Sequence, residues 1–447
     1  MKKRLSFLKD GTQDLLLRRV IRNTGYLFSS SSITMGLTSI QGILAALLLG
    51  PENYGVLGLI ILFASSVNRL FSFRMGELVI KFAGQSLAVG NKKQAAAIIK
   101  VAGLSETLTS IFAYGVLLLL APWAAQTIIK DPAVEQWIVI YGLALLANFV
   151  TETSTAVLQL GNHYRSQAIL NLIQSVITAS WIVVLYFMQG SVYDVLNAYL
   201  VGKLVFGIGI MAVALSKISE LVGKQWWRES LTNINDKKGL LKFALSTNLS
   251  GTVNLIVRDS EVLWVGYFLT SLQAGYYKFA LAIMNVILLP ITPFISTTFP
   301  EINTTIAKKN WKTLKSLLSK TTLISAVWTV VCIIGVAFFG PWLLGLLKDG
   351  MYLPAMPVIL ILVAGYGFAN VFFWNRSLLL AFGKPNFPLV VTFLVGLVKT
   401  GLMFLLVPKN GFLMQSGLLS GYFILSVGII VWRGLQELKK QEILAVE

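Results

Sequence analysis

Twelve stretches of the chain are long and apolar enough to cross a bilayer, and little sequence is left between them. They lie roughly at 24–49, 54–82, 97–120, 133–158, 166–188, 193–215, 241–267, 273–299, 318–340, 353–382, 386–407 and 412–433. A crossing helix needs about 20 mostly apolar residues. Inside hydrocarbon the backbone must satisfy its own hydrogen bonds, which leaves helices as the form available to isolated apolar stretches of this length. The charged fraction is 13%, against about 25% in soluble domains, and the mean hydropathy is +0.75. The fold class expected is therefore an all-α polytopic membrane protein with about twelve transmembrane helices.

The lysines and arginines set the orientation, because cytoplasmic loops are enriched in them. With both termini on the cytoplasmic side, 27 of the 37 fall in segments on that side, three (Lys130, Lys348, Lys409) on the other, and seven within the spans. The same rule, with an anionic inner leaflet, accounts for the net charge of +18 and requires no nucleic acid.

The sequence also repeats itself. Ser30, Thr34, Thr38 and Gln41 recur as Ser250, Asn254, Arg258 and Glu261, an offset of 220, and Pro51–Gly55 recurs as Ser271–Gly275 at the same offset. Asn91 matches Asn310, Pro122-Trp123 matches Pro341-Trp342, and Lys130-Asp131 matches Lys348-Asp349, with the offset drifting to 219 and 218. Six spans per half put both halves in the membrane in the same sense, as parallel repeats do in transporters. The organisation expected is a basic interfacial segment at 1–23, a six-helix lobe at 24–215, a cytoplasmic linker at 216–241, a second six-helix lobe at 242–433 and a cytoplasmic tail at 434–447. The linker, with Trp226-Trp227-Arg228, reads as a helix lying at the inner interface.

Conventional catalysis has no foothold in this sequence. It holds no phosphate loop, no H-E-x-x-H, no G-x-S-x-G and no sizeable water-facing loop in which carboxylates could pair. Cys332 lies inside a span, so no disulfide framework exists. His163 sits in a short turn beside Arg165 and lacks the partners a zinc site needs. No cofactor and no metal site is expected, and moving a substrate fits better than converting one.

The informative residues are charges inside spans, which usually face a bundle interior or a wet cavity. The cations are Arg69, Arg74, Lys203, Arg258, Lys278, Arg376 and Lys399; the acids are Glu77, Glu106, Glu152, Asp259 and Glu261. Arg74, Glu77 and Arg376 lie near inner ends and Lys278 near an outer end, where long side chains reach the interface at little cost. Ser250, Asn254, Arg258 and Glu261, at i, i+4, i+8 and i+11, share one face of the seventh span, matched by Ser30, Thr34, Thr38 and Gln41 in the first. Two such stripes fit a central aqueous cavity. They also fit interhelical hydrogen bonding, and an Arg258–Glu261 pair at i, i+3 could neutralise itself.

A resemblance carries the reading further. The run Asn23-Thr-Gly-Tyr-Leu-Phe-Ser-Ser-Ser, then Leu49-Gly-Pro-Glu-Asn-Tyr-Gly55 and Phe73-Arg-Met-Gly-Glu77, resembles the start of bacterial Wzx-type oligosaccharide flippases. These belong to the multidrug/oligosaccharidyl-lipid/polysaccharide exporter superfamily. Val265-Gly-Tyr-Phe268, Ala274-Gly-Tyr-Tyr-Lys-Phe-Ala280 and Phe299-Pro-Glu301 are similar to the second half of that family. The resemblance implies two six-helix bundles around a central cavity that opens to either face in turn. It also implies a substrate, an oligosaccharide on undecaprenyl diphosphate flipped from inner to outer leaflet for surface polysaccharide (O-antigen or exopolysaccharide) synthesis. The site of action would be the bacterial inner membrane, alongside a polysaccharide polymerase and glycosyltransferases.

A diphosphate calls for cations, and arginine's forked donors suit its oxygens. On that reading Arg258 binds the diphosphate mid-route, Arg69 and Arg74 receive the headgroup, Lys278 stands near the exit and Arg376 is a further contact. Asn254, Thr34, Thr38 and Gln41 would bond sugar hydroxyls. Trp264, Tyr267, Tyr276 and Tyr277 would stack on sugars or form an aromatic belt. Asp259, Glu261 and Glu152 are candidates for coupling to protons or sodium. Pro290 and Pro293 are expected to bend the eighth span. The rival readings are a drug or metabolite antiporter of the same superfamily and a non-transporting membrane subunit of a glycan assembly complex.

Overall fold

A computed structural model describes residues 11–288 and 291–444. The described residues are helical with no strand, and nine of the helices are long and apolar enough to cross a membrane. Two of the nine, Ser32–Ala88 and Asn386–Ile443, are 57 and 58 residues long, well over twice the roughly 20 residues that one crossing needs.

Each of these two folds back at a glycine with positive φ, Gly50 (74°) and Gly411 (73°). Gly50 is followed by Pro51, which starts the returning arm with its φ already set. The Tyr54 hydroxyl lies 3.5 Å from where a Cβ on Gly42 would stand, and Gln415 Nε2 lies 3.6 Å from Met403 Sδ. Residues twelve apart on a continuous helix would be about 18 Å apart. The nine helices therefore make eleven crossings. The remaining expected span is carried by Ser271–Leu288 and Thr292–Ala307. Pro290, expected to bend it, lies outside the described residues, as do residues 1–10 of the expected N-terminal segment.

The surface is apolar and the interior carries the small polar groups. Leu119, Phe187 and Phe338 are each more than three-quarters exposed. Along Trp311–Leu346 the buried positions include Thr321, Ser325 and Thr329, spaced by four. Asn370 donates to Thr329 Oγ1 at 3.0 Å and Trp374 to Thr322 Oγ1 at 2.7 Å. Such contacts replace the hydrophobic effect as the force between helices in lipid.

The chain forms two compact units. One holds the sequence up to Gln41 with Ala64–Pro122 and Glu135–Thr252; the other holds Gly42–Phe63, Trp123–Val134 and everything from Val253 onward. In the first unit, Met75, Leu78, Ala95–Ile99, Ala156–Leu158 and Ile218 form a core against which Trp226 of the linker packs. The linker is not the helix expected. Gly223, at φ 104°, ends the preceding helix in a backbone conformation that suits glycine. The segment then makes two 3₁₀ turns, Trp226–Arg228 and Leu231–Asn233, the second with the Ser230 side chain accepting from the Thr232 amide.

In the second unit the repeat becomes a reciprocal contact. A Cβ on Gly55 would overlap the Ser271 carbonyl oxygen, and one on Gly275 would overlap that of Pro51; 271 and 275 are 51 and 55 displaced by the repeat offset of 220. The Lys130 ammonium donates to the Leu269 carbonyl, and its counterpart Lys348 donates to the Leu48 carbonyl at 3.0 Å. The Tyr352 hydroxyl donates to the Ala46 carbonyl at 2.8 Å and the Ser271 hydroxyl to that of Ile129 at 2.8 Å. Each half thus caps carbonyls at the end of the other half's first span, groups that a helix terminus leaves without a partner.

Gly55→Ala and Gly275→Ala are each expected to lower stability by about 1–3 kcal/mol, the usual cost of overpacking. Gly335→Ala, which meets nothing within 4 Å, should cost nothing. Thermal unfolding in detergent checks the contrast.

Candidate functional site

The second span does not run straight. Its helix ends at Phe71, and Arg74 takes a left-handed conformation (φ 49°, ψ 54°) as it starts the short helix Met75–Leu78. A non-glycine residue held there is uncommon and marks a constrained place. The break is held by side chains from Lys237–Asn254. Asn248 Nδ2 donates to the carbonyls of Leu70 (3.0 Å) and Ser72 (2.6 Å), and the Thr247 hydroxyl to that of Phe73 (3.3 Å). Glu152 accepts from Ser72 Oγ at 3.1 Å and from the Gly76 amide at 3.4 Å. Gly251 leaves room for the guanidinium, since a Cβ there would lie 3.3 Å from Arg74 Nε.

A cavity of about 430 Å³ opens at this break, lined among others by Arg69, Arg74, Glu77, Glu152, Gln159 and Asn248. It gathers four of the charges singled out in the sequence, Arg69, Arg74, Glu77 and Glu152. Arg74 Nη1 pairs with Glu77 Oε1 at 2.9 Å, both side chains about half exposed. A pair so placed contributes little to stability, so an anionic ligand can displace the carboxylate. Asn248 and Gln159 were not picked out by their intramembrane charge, having none.

A second space of about 130 Å³ shares Ser72, Thr151 and Glu152 with the first and adds Asn68, Glu106, Thr109 and Asn148. Glu106 accepts from the backbone amides of Glu152 (2.8 Å) and Thr153 (2.9 Å). It thereby caps the helix Thr151–Leu160, whose own N-cap residue, Val150, offers no side-chain acceptor. Glu152 stands at the wall between the two spaces.

In the other unit the expected face of Arg258 and Glu261 is broken. Residues Leu255–Asp259 form a π-helical turn, whose wider winding removes the i, i+3 relation between the two side chains. Arg258 pairs with Asp259 instead, Nε to Oδ1 at 2.9 Å. Glu261 turns inward and is enclosed by Lys399, which bonds one carboxylate oxygen, and by Gln415 (2.6 Å) and the Tyr277 hydroxyl (3.1 Å) on the other. The π-turn also alters the carbonyl ladder: Lys399 reaches the Val257 carbonyl at 2.8 Å and the Trp264 indole that of Ile256 at 3.2 Å.

The remaining candidates are dispersed. Lys278 lies 4.0 Å from the Tyr54 ring centroid and donates to the Tyr54 carbonyl at 3.5 Å. Gln41 is buried and its amide donates to the Ser175 carbonyl at 2.9 Å, which is the interhelical role. Thr34 keeps a buried hydroxyl with no partner among the described residues. Thr38, Asn254 and Arg376 are exposed.

The profile of a polysaccharide biosynthesis protein family matches residues 43–357. The chain belongs to that family. Among curated proteins no sequence matches it. Its fold is that of solved transporters in the multidrug/oligosaccharidyl-lipid/polysaccharide superfamily. It is similar to the lipid II flippase MurJ in an inward closed conformation (TM-score 0.70, 14% identity, 93% of this chain and 90% of that one). It is also similar to an inward-facing multidrug resistance transporter of the MATE family (0.69, 12%, 92% and 95%). A third relative in fold is a superfamily transporter from Pyrococcus furiosus (0.62, 12%, 94% and 96%). This member of the family is thus a multi-pass membrane protein with the two-lobed helical fold of those transporters.

Lys399→Met should leave Glu261 as an uncompensated buried charge and lower stability by about 3–5 kcal/mol. Adding Glu261→Gln should recover most of the loss. Thermal unfolding of the two variants measures both; a single variant as stable as the parent would show that the pair is not a fixed element.

Proposed function

We propose that this protein flips an oligosaccharide carried on a polyprenyl diphosphate, undecaprenyl diphosphate in bacteria, from the inner to the outer leaflet. It would do so in the inner membrane with both termini cytoplasmic, handing its cargo to a polymerase after glycosyltransferases have assembled it. The observation that carries the reading is the cavity at the Ser72–Arg74 break. Two arginines there offer forked donors to a diphosphate, and Asn248 and Gln159 offer amides to sugar hydroxyls. Arg258 and Lys278 are proposed as later cation contacts, Arg376 as a lesser one, and Asn254, Thr34 and Thr38 as hydrogen-bonding contacts to sugar, whereas the Gln41 amide is taken by the Ser175 carbonyl. Family membership supports the glycan side of the reading.

Of the carboxylates offered for coupling to protons or sodium, Glu152 is favoured because it borders both cavities. Asp259 is held by Arg258 and Glu261 by Lys399. The surplus of arginine and lysine over acidic residues inside the spans, seven against five, disfavours the rival within the superfamily, an organic-cation antiporter.

Arg74→Ala is expected to abolish translocation of lipid-linked oligosaccharide in proteoliposomes, with normal expression, and Arg74→Lys to keep part of it. Full activity in Arg74→Ala would sink the diphosphate role. The lysine clasps at Leu48 and Leu269 are proposed to close the exit side. In a Cys332→Ser background, a cysteine placed by Ala274→Cys should react faster with an impermeant maleimide once Lys130→Met and Lys348→Met are added. Equal rates would remove the clasps from the gate.

A further inference from the structure

The first unit carries a second concavity, unrelated in character to the arginine cavity. It has about 330 Å³ of space and lies where the linker's Trp226 and Trp227 cover the helices bearing Ile99, Leu104, Val157 and Leu215. Its walls are apolar, and Leu104, Leu215 and Trp227 are each about half exposed. Among the residues that line it one is charged, Lys100. The Lys100 ammonium donates to the Glu229 carbonyl at 3.3 Å. No carboxylate of the described residues lies within ion-pair distance of it.

We propose that this groove is a binding site for one anionic phospholipid of the leaflet facing the basic loops, with an acyl chain between the tryptophans and the helices and the headgroup phosphate on Lys100. Charge and polarity select this occupant. A soluble phosphate would answer Lys100 and leave the apolar wall wet; a neutral chain would fill the wall and leave the ammonium with one carbonyl. An ammonium has three donors, so the phosphate joins the Glu229 contact without displacing it.

The surroundings agree in sign. Residues 223–242 hold five basic side chains (Lys224, Arg228, Lys237, Lys238, Lys242) against two acidic ones, Glu229 and Asp236, and the Glu229 carboxylate is taken by Asn233 at 2.9 Å. Basic pockets between helices on the cytoplasmic side are where anionic headgroups bind, and tryptophans sit at that depth. The lipid would pin the linker, which has no helix of its own, to the first unit, so occupancy would regulate how firmly the linker is held.

The test is native mass spectrometry of the full-length protein titrated with phosphatidylglycerol and with phosphatidylcholine of the same chains. One lysine near the headgroup corresponds to a preference of about fivefold for the anionic lipid, and this is the expected result for the parent. Lys100→Gln should bring the two lipids to equal retention. Gly103 lines the groove, and a Cβ there meets nothing closer than 3.8 Å, so Gly103→Leu should fold, as thermal unfolding would verify, and reduce retention of both lipids. Equal retention by the parent, or an unchanged preference in Lys100→Gln, overturns the proposal. So does loss of bound phosphatidylglycerol to an equal concentration of glycerol phosphate, which would show that the apolar wall contributes nothing.

Discussion

Hydrocarbon offers a backbone carbonyl or amide no hydrogen bond, and each one left bare costs several kcal/mol. Several interruptions of helices among the described residues are met by a side chain from elsewhere. Lys130, Lys348 and Tyr352 serve the ends of the first spans, Asn248 and Thr247 serve the break after Phe71, and Glu106 serves the start of Thr151–Leu160. Lys399 and Trp264 serve the π-turn. Trp264, which the sequence offers as a sugar-stacking or belt residue, is among these contacts. Arg69 and Arg74 differ because they face open space as well as protein.

The crossings, the repeat and the class were legible because they rest on long-range averages: runs of apolar residues, the placement of basic ones, and a fixed offset. Arg69, Arg74 and Glu152 were legible as charges in apolar surroundings, and the structure does bring those three together. Arg258 and Glu261 take different partners for a local reason. Face assignment assumes an α period, and one π-turn at Leu255–Asp259 rotates everything after it. The partners of Glu261 lie 138 and 154 residues away in Lys399 and Gln415, and neither is marked by spacing. Tryptophans and charges suggest a helix for the linker, whereas Gly223 and the turn formers Ser230, Asn233, Asn235 and Asp236 after it favour turns.

Identities of 12–14% with transporters of different cargo show how little of the sequence the architecture needs. What it does show is close packing at a few backbones, as at Gly55 and Gly275, and side-chain partners for carbonyls at several helix ends. A fold shared by carriers of different cargo does not name the cargo; the arginines and amides in the cavity wall bear on it instead.

A contact in which one copy's i meets the other's j, and j meets i, is what a two-fold dimer makes at its axis. Here both copies lie in one chain, and fusion frees the positions near that axis from having to match. Lys278 shows the result: its repeat counterpart is Gly58, and a Cβ on Gly58 would strike the Lys278 stem. A symmetric dimer would set two lysines against each other there, or none. A single chain can keep one ammonium there, with glycine at the matching position of the other copy leaving the room that receives it.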